Sequence, residues 1–175
     1  RNRPLVQSRG NPVRKVHVLF GGTDATSTSQ SDTWEWNGTT WLKRSLATNP
    51  VEREGHSMVY DIKNARTLMF GGLKFPTYLR EVWVYAGSDW QRLMGSENAA
   101  MPVRAYQAMA YDANRNVTVL FGGETTGSVA LSDTWEFDGT TWTKKAPTTI
   151  PTERAGAAMV YDAGRKQVLL FGGLK

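Results

Sequence analysis

The triplet Phe-Gly-Gly occurs four times in this chain, beginning at Phe20, Phe70, Phe121 and Phe171, with spacings of 50, 51 and 50 residues. A period of that length, held in register from end to end, restricts the fold to architectures that repeat one supersecondary unit. It divides the chain into repeats of approximately 1–50, 51–101, 102–151 and 152–175, the last breaking off partway through its unit.

Each repeat carries the same four parts. An alternating run, strand a, covers 53–61, 104–112 and 154–162. Positions two apart share a face of a strand, so Met58 and Tyr60, Met109 and Tyr111, and Met159 and Tyr161 form one repeated surface, as packing requires. A polar turn leads into strand b, an almost unbroken apolar run such as 117–121, which predicts burial on both faces. The glycine doublet after it permits positive φ and close backbone approach. A loop of eight to ten residues then reaches strand c at 32–36, 81–85 and 133–137. Asn37-Gly38 and Asp138-Gly139 predict type I′ hairpins into strand d, which begins near Trp41, Trp90 and Trp142.

No helix is expected. A lone four-stranded meander cannot bury both faces, and stacking such sheets radially makes a β-propeller. The fold class is therefore all-β, with three complete four-stranded blades plus strands a and b of a fourth. Six of the seven tryptophans occupy two recurring positions (34, 83, 135 and 41, 90, 142), which assigns them to packing between blades. Trp36 aligns with Tyr85 and Phe137 and has the same role.

The doublet after strand b, an aromatic some twelve to fourteen residues later and a tryptophan six or seven beyond it resemble the kelch repeat, and the resemblance covers nearly the whole chain. Asp-Thr-Trp-Glu at 133–136 and Tyr-Asp-Ala at 111–113 look like bacterial kelch repeats, and the propeller is similar to that of galactose oxidase. Residues 1–13 depart from the pattern: Arg3 falls at the repeat arginine position, but Gly10-Asn11 stands where Tyr-Asp is expected, so the first strand a is degenerate or a different segment. The blade count is too small to close a ring. The chain reads as a fragment of a longer propeller; the alternative is a half-propeller completed by a second copy. Either reading predicts exposed strand edges and a self-associating surface.

Function on such a scaffold must be argued from its site. Arg53, Arg104 and Arg154 recur at the start of strand a. In the peptide-binding kelch domains that the chain resembles, arginines there face the channel and grip acidic groups; the structural alternative is that each braces the b–c loop of an adjacent blade. The b–c loops diverge, and diverging loops on a constant scaffold carry specificity. The second offers Lys74, Phe75, Tyr78 and Arg80 to a peptide or sugar, and the third offers Glu124. The resulting expectation is a binding module for a protein, peptide or glycan. An enzyme of the sialic acid mutarotase type, pairing Arg104 with Glu124, is the first alternative, and an oligomerising structural half-propeller the second.

Composition removes several classes. The absence of cysteine excludes disulfides, thiolate metal sites, a Cys nucleophile and the Tyr–Cys cross-link of galactose oxidase. The net charge of +5 comes from scattered residues, so no nucleic-acid partner is expected. No apolar run approaches the roughly 18 residues of a membrane span, so no membrane partner is expected. His17 and His56 lie in no zinc spacing, and no phosphate or dinucleotide fingerprint occurs, so no metal or cofactor is expected. The compartment is not indicated.

Overall fold

The structure, a computed structural model, describes residues 15–175. The degenerate first strand a and Arg3 lie outside the described residues. Blade 1 contains β1 (His17–Phe20), β2 (Thr33–Trp36) and β3 (Trp41–Lys43). Blade 2 contains β4 (Ser57–Asp61), β5 (Arg66–Phe70), the short pair β6 (Leu73–Lys74) and β7 (Thr77–Tyr78), then β8 (Val82–Tyr85) and β9 (Trp90–Arg92). Blade 3 repeats it as β10 (Ala108–Asp112), β11 (Val117–Phe121), β12 (Glu124–Thr125), β13 (Val129–Ala130), β14 (Thr134–Phe137) and β15 (Trp142–Lys145). Blade 4 supplies β16 (Ala158–Asp162) and β17 (Gln167–Phe171). Blades 2 and 3 are antiparallel meanders in the order β4-β5-β8-β9 and β10-β11-β14-β15. The described chain is thus a partial propeller, with two complete blades, strands b to d of the first and strands a and b of the fourth.

Aromatic side chains fasten neighbouring blades. Trp90 packs between Tyr85 of its own hairpin and Phe20 of the blade before, each centroid 5.2 Å away. Trp142 repeats the arrangement with Phe137 and Phe70, both at 5.0 Å. Met58 and Met109 join the two resulting cores, as their shared face predicts. Trp41 has its hairpin neighbour Trp36 at 5.5 Å but no such phenylalanine among the described residues, and it is 42% exposed. At the other end Phe171 is 82% exposed, whereas Phe20 and Phe70 are fully buried.

Three local expectations are corrected. Strand a pairs with strand b only from Ser57, Ala108 and Ala158 onward, because 53–56 and its counterparts turn instead toward the b–c loop through the bridges Glu54–Leu73, Ala105–Glu124 and Ala155–Leu174. The c–d turns are not two-residue type I′ loops. Asn37 Oδ1 accepts the Thr39 and Thr40 amides, and Asp138 Oδ1 those of Thr140 and Thr141, closing four-residue loops in which only glycine has positive φ (98° at Gly38, 102° at Gly139). The second and third b–c loops fold back as the small hairpins β6–β7 and β12–β13.

Candidate functional site

Each repeat arginine is a two-way strap. Its backbone joins the preceding blade: Arg104 N–H donates to the Leu79 carbonyl (3.0 Å) and its own carbonyl accepts from Gly72 (2.9 Å). Arg53 does the same with Gln30 and Gly22, and Arg154 with Leu131 and Gly123. The side chain holds its own blade. Arg104 donates to the Gly122 carbonyl at 2.9 Å and grips Asp133 through two bonds of 2.7 Å. Arg53 donates to Gly71 O (3.0 Å) and to Glu81 (2.7 Å). The same acids receive the indole N–H two residues on, Trp135 at 2.6 Å and Trp83 at 2.9 Å. The bracing expected between blades therefore runs through the arginine backbone, while the guanidinium braces the arginine's own blade.

Arg53 and Arg104 are completely buried, and these bonds occupy their forks. Arg154 keeps the Gly172 bond at 3.0 Å and turns its other two nitrogens to the Thr152 carbonyl (3.1 Å) and hydroxyl (2.9 Å). Burial works to raise the carboxyl pKa of Asp133 and of Glu81, but hydrogen bonds and charge from Arg104 and Arg53 outweigh it and hold both below their ordinary values. A carboxylate depressed in this way adds stability that is complete above its unfolded pKa and disappears as the pH falls through the folded one, below about pH 4. Asp133→Asn should therefore flatten the acid limb of the stability curve below about pH 4, measured by urea unfolding across that window.

Arg104 and Glu124, required together by an acid–base sugar enzyme, form no ion pair: Arg104 closes on Asp133, and Glu124 accepts from the Tyr78 hydroxyl at 2.7 Å. That Tyr78–Glu124 bond joins the b–c hairpins of blades 2 and 3. The remaining loop residues are dispersed. Lys74 pairs with Glu52 at 2.8 Å, Arg80 is exposed and reaches the Ala99 carbonyl at 3.5 Å, and Phe75 protrudes at 82% exposure.

Beside the Tyr78–Glu124 bridge lies a residue that the sequence reading passed over. Positions 55, 106 and 156 are equivalent; two are glycines at φ 62° and 68°, and the third is Tyr106 at φ 56°. A bulky side chain in the left-handed region is an outlier that costs roughly 1–3 kcal/mol and persists only where its surroundings impose it. Tyr106 N–H donates to the Gly55 carbonyl (2.6 Å), and Gly156 donates to the Tyr106 carbonyl (2.8 Å), so the three positions form a backbone belt across blades 2, 3 and 4. The ring lies over Gly55, where an added Cβ would stand 3.0 Å from two ring carbons. Burial, then the charges of Glu54 and Glu124, push the Tyr106 phenol up to about 12, so it stays protonated and able to donate. Tyr78, Tyr106, Glu54 and Glu124 thus form one aromatic and acidic mouth. The signal that reveals it in the sequence is the Gly-Tyr-Gly series itself.

Below the mouth, β4, β10 and β16 line a trough of about 520 Å³. Its wall holds tyrosines 60, 111 and 161 with methionines 58, 109 and 159, and no charged side chain. Among the described residues no cluster of His, Cys, Asp or Glu is arranged to hold a metal ion.

The KLHDC2/KLHL20/DRC7 Kelch-repeats domain matches residues 11–173. Among solved structures, the kelch-type propeller protein YjhT is similar in fold, with a TM-score of 0.68 at 17% identity; the match covers 91% of this chain and 56% of that one. The chain therefore spans little more than half the length of that propeller. No curated protein matches significantly. A family match over almost the whole chain, on blades built by the glycine doublets, the paired aromatics and the arginine straps, places this chain in the kelch-repeat family.

Proposed function

We propose that this chain is a binding module that holds a protein or peptide partner at the mouth between blades 2 and 3, with a basic side chain of the partner as the anchor. Kelch domains are protein-interaction scaffolds in general, and this chain has that scaffold. The observation that carries the reading is Tyr106, held at positive φ where its equivalents are glycine. A residue that strains the belt and stabilises neither neighbouring core has a reason to be there outside the fold. Its ring face, flanked by Glu54 and Glu124, suits an ammonium or guanidinium group by cation–π attraction and charge-assisted hydrogen bonds. Phe75 and Val129, exposed on the two flanking hairpins, supply apolar contacts at the rim. With Arg53 and Arg104 buried, recognition of an acidic ligand by an arginine ring has less support than recognition of a basic one.

Panning a displayed library of random twelve-residue peptides tests this. Enriched peptides should carry Lys or Arg and should lose binding to Tyr106→Gly. That variant should stay within about 1 kcal/mol of the parent in stability, because relief of the left-handed strain offsets the loss of a half-buried ring. Enriched peptides that bind Tyr106→Gly equally well would sink the reading. A glycan is the second reading, supported by the uncharged, tyrosine-lined trough; oligosaccharide binding that survives Tyr106→Gly would favour it.

A further inference from the structure

The three joints between described blades share the arginine backbone strap and differ at the position three residues after it. In the joint between blades 2 and 3, Gln107 Nε2 donates to the Phe70 carbonyl at 2.8 Å. The equivalent residue in the joint between blades 3 and 4 is Ala157, and in the joint between blades 1 and 2 it is His56. His56 is 2% exposed; its ring approaches the Phe20 carbonyl as Gln107 approaches that of Phe70, but neither nitrogen completes a hydrogen bond of ordinary geometry. Its ring meets Phe20 edge-on at 5.7 Å. The glycine doublets of both blades close on it: a Cβ on Gly21 would lie 3.5 Å from its Cε1, and one on Gly72 3.1 Å from its Cβ. Of the groups packed against it from β1, from the doublet after β5 and from its own segment, Arg53 is the charged one, and it repels a second positive charge. The trough side presents the neutral Ser57 and Gln107.

We propose that the joint between blades 1 and 2 is an acid-operated element, with His56 as its sensor, and that it loosens the floor of the Tyr106 mouth as the pH falls below neutrality. That the loosening acts on a ligand rests on the function proposed above; the opening itself does not. Closed, the joint admits only the neutral imidazole: burial, then the Arg53 charge, pull its pKa from 6.5 to about 3. Opened, the ring is hydrated and titrates near its ordinary value. The sign follows. The open state binds the extra proton, so the closed joint is fully favoured above about pH 6.5 and loses ground as the pH falls toward the lowered value. The opening constant should rise about 25-fold between pH 7 and pH 5. The movement reaches the mouth because Gly55, next in the chain, receives the Tyr106 amide and carries its ring, and Glu54 is one residue further.

Hydrogen exchange with mass spectrometry on this chain, without any ligand, tests the proposal and keeps its failure separate from that of the binding reading. After correction for intrinsic exchange, segments 16–22 and 53–57 and the Tyr106 amide should show the 25-fold rise from pH 7 to pH 5. Segment 117–121, in the joint between blades 3 and 4 where Ala157 replaces the histidine, should not. His56→Gln, which supplies the amide of Gln107, should abolish the rise, and His56→Ala, matching Ala157, does the same should the first variant fold poorly. An opening constant independent of pH in these segments, or a rise of equal size in the variants, would overturn the proposal.

Discussion

Arg104→Ala is expected to destabilise the chain by about 3 kcal/mol, a large share of the roughly 5–15 kcal/mol available to a domain. The substitution removes two bonds to Asp133 and one to the Gly122 carbonyl, all from a side chain with no exposed surface. Breaking a buried ion pair from one side costs about 3–5 kcal/mol, because the remaining charge loses its partner. The lower end applies here because the Asp133 side chain is 13% exposed and can recover some water. Arg104→Lys should cost less but not restore the parent, since one ammonium cannot reproduce a fork that meets both Asp133 oxygens and a carbonyl together. Urea unfolding followed by tryptophan fluorescence measures this. A stability close to the parent, combined with loss of ligand binding, would return Arg104 to the ligand-gripping role.

The second large effect is expected at the glycine doublets. Gly71→Ala should cost about 3 kcal/mol. Its φ is 68°, and an added Cβ would stand 2.6 Å from the Arg104 carbonyl, a backbone atom fixed by the strap. Gly38→Ala is the control: φ is 98°, but no atom lies within 4 Å, so only the conformational penalty of about 1–2 kcal/mol remains. The difference between the two midpoints isolates close backbone approach. Equal losses would mean that blade contact does not require the doublet.

The scaffold was legible because repetition made each residue its own control. Phe-Gly-Gly at a constant period gave strand b and its turn, and the tryptophans gave the packing between blades. Asn37-Gly38 misled because the dipeptide signal does not reveal whether the Asn side chain will cap two amides and lengthen the loop. The arginines were legible as a recurring group but not in direction, since a sequence cannot tell a fork that points into the channel from one closed on Asp133. Tyr78 and Glu124 were chosen from their loops, and their bond across two blades required the fold. Tyr106 and Glu54 do not stand out in what the repeats share; the mouth is marked by the one repeat that breaks the glycine series.

On the proposed reading the labour is divided: the arginines build the scaffold, and the mouth at Tyr106 binds the partner. A saturation scan of this chain displayed on cells, sorted in parallel for protease resistance and for capture of a mouth-selected peptide, measures both properties at every position. Changes at Arg53 and Arg104 should lower protease resistance, and changes at Glu54, Tyr78, Tyr106 and Glu124 should lower capture at retained resistance. Substitutions at Arg53 or Arg104 that keep resistance but lose capture, or at Tyr106 that lose both together, would contradict that reading.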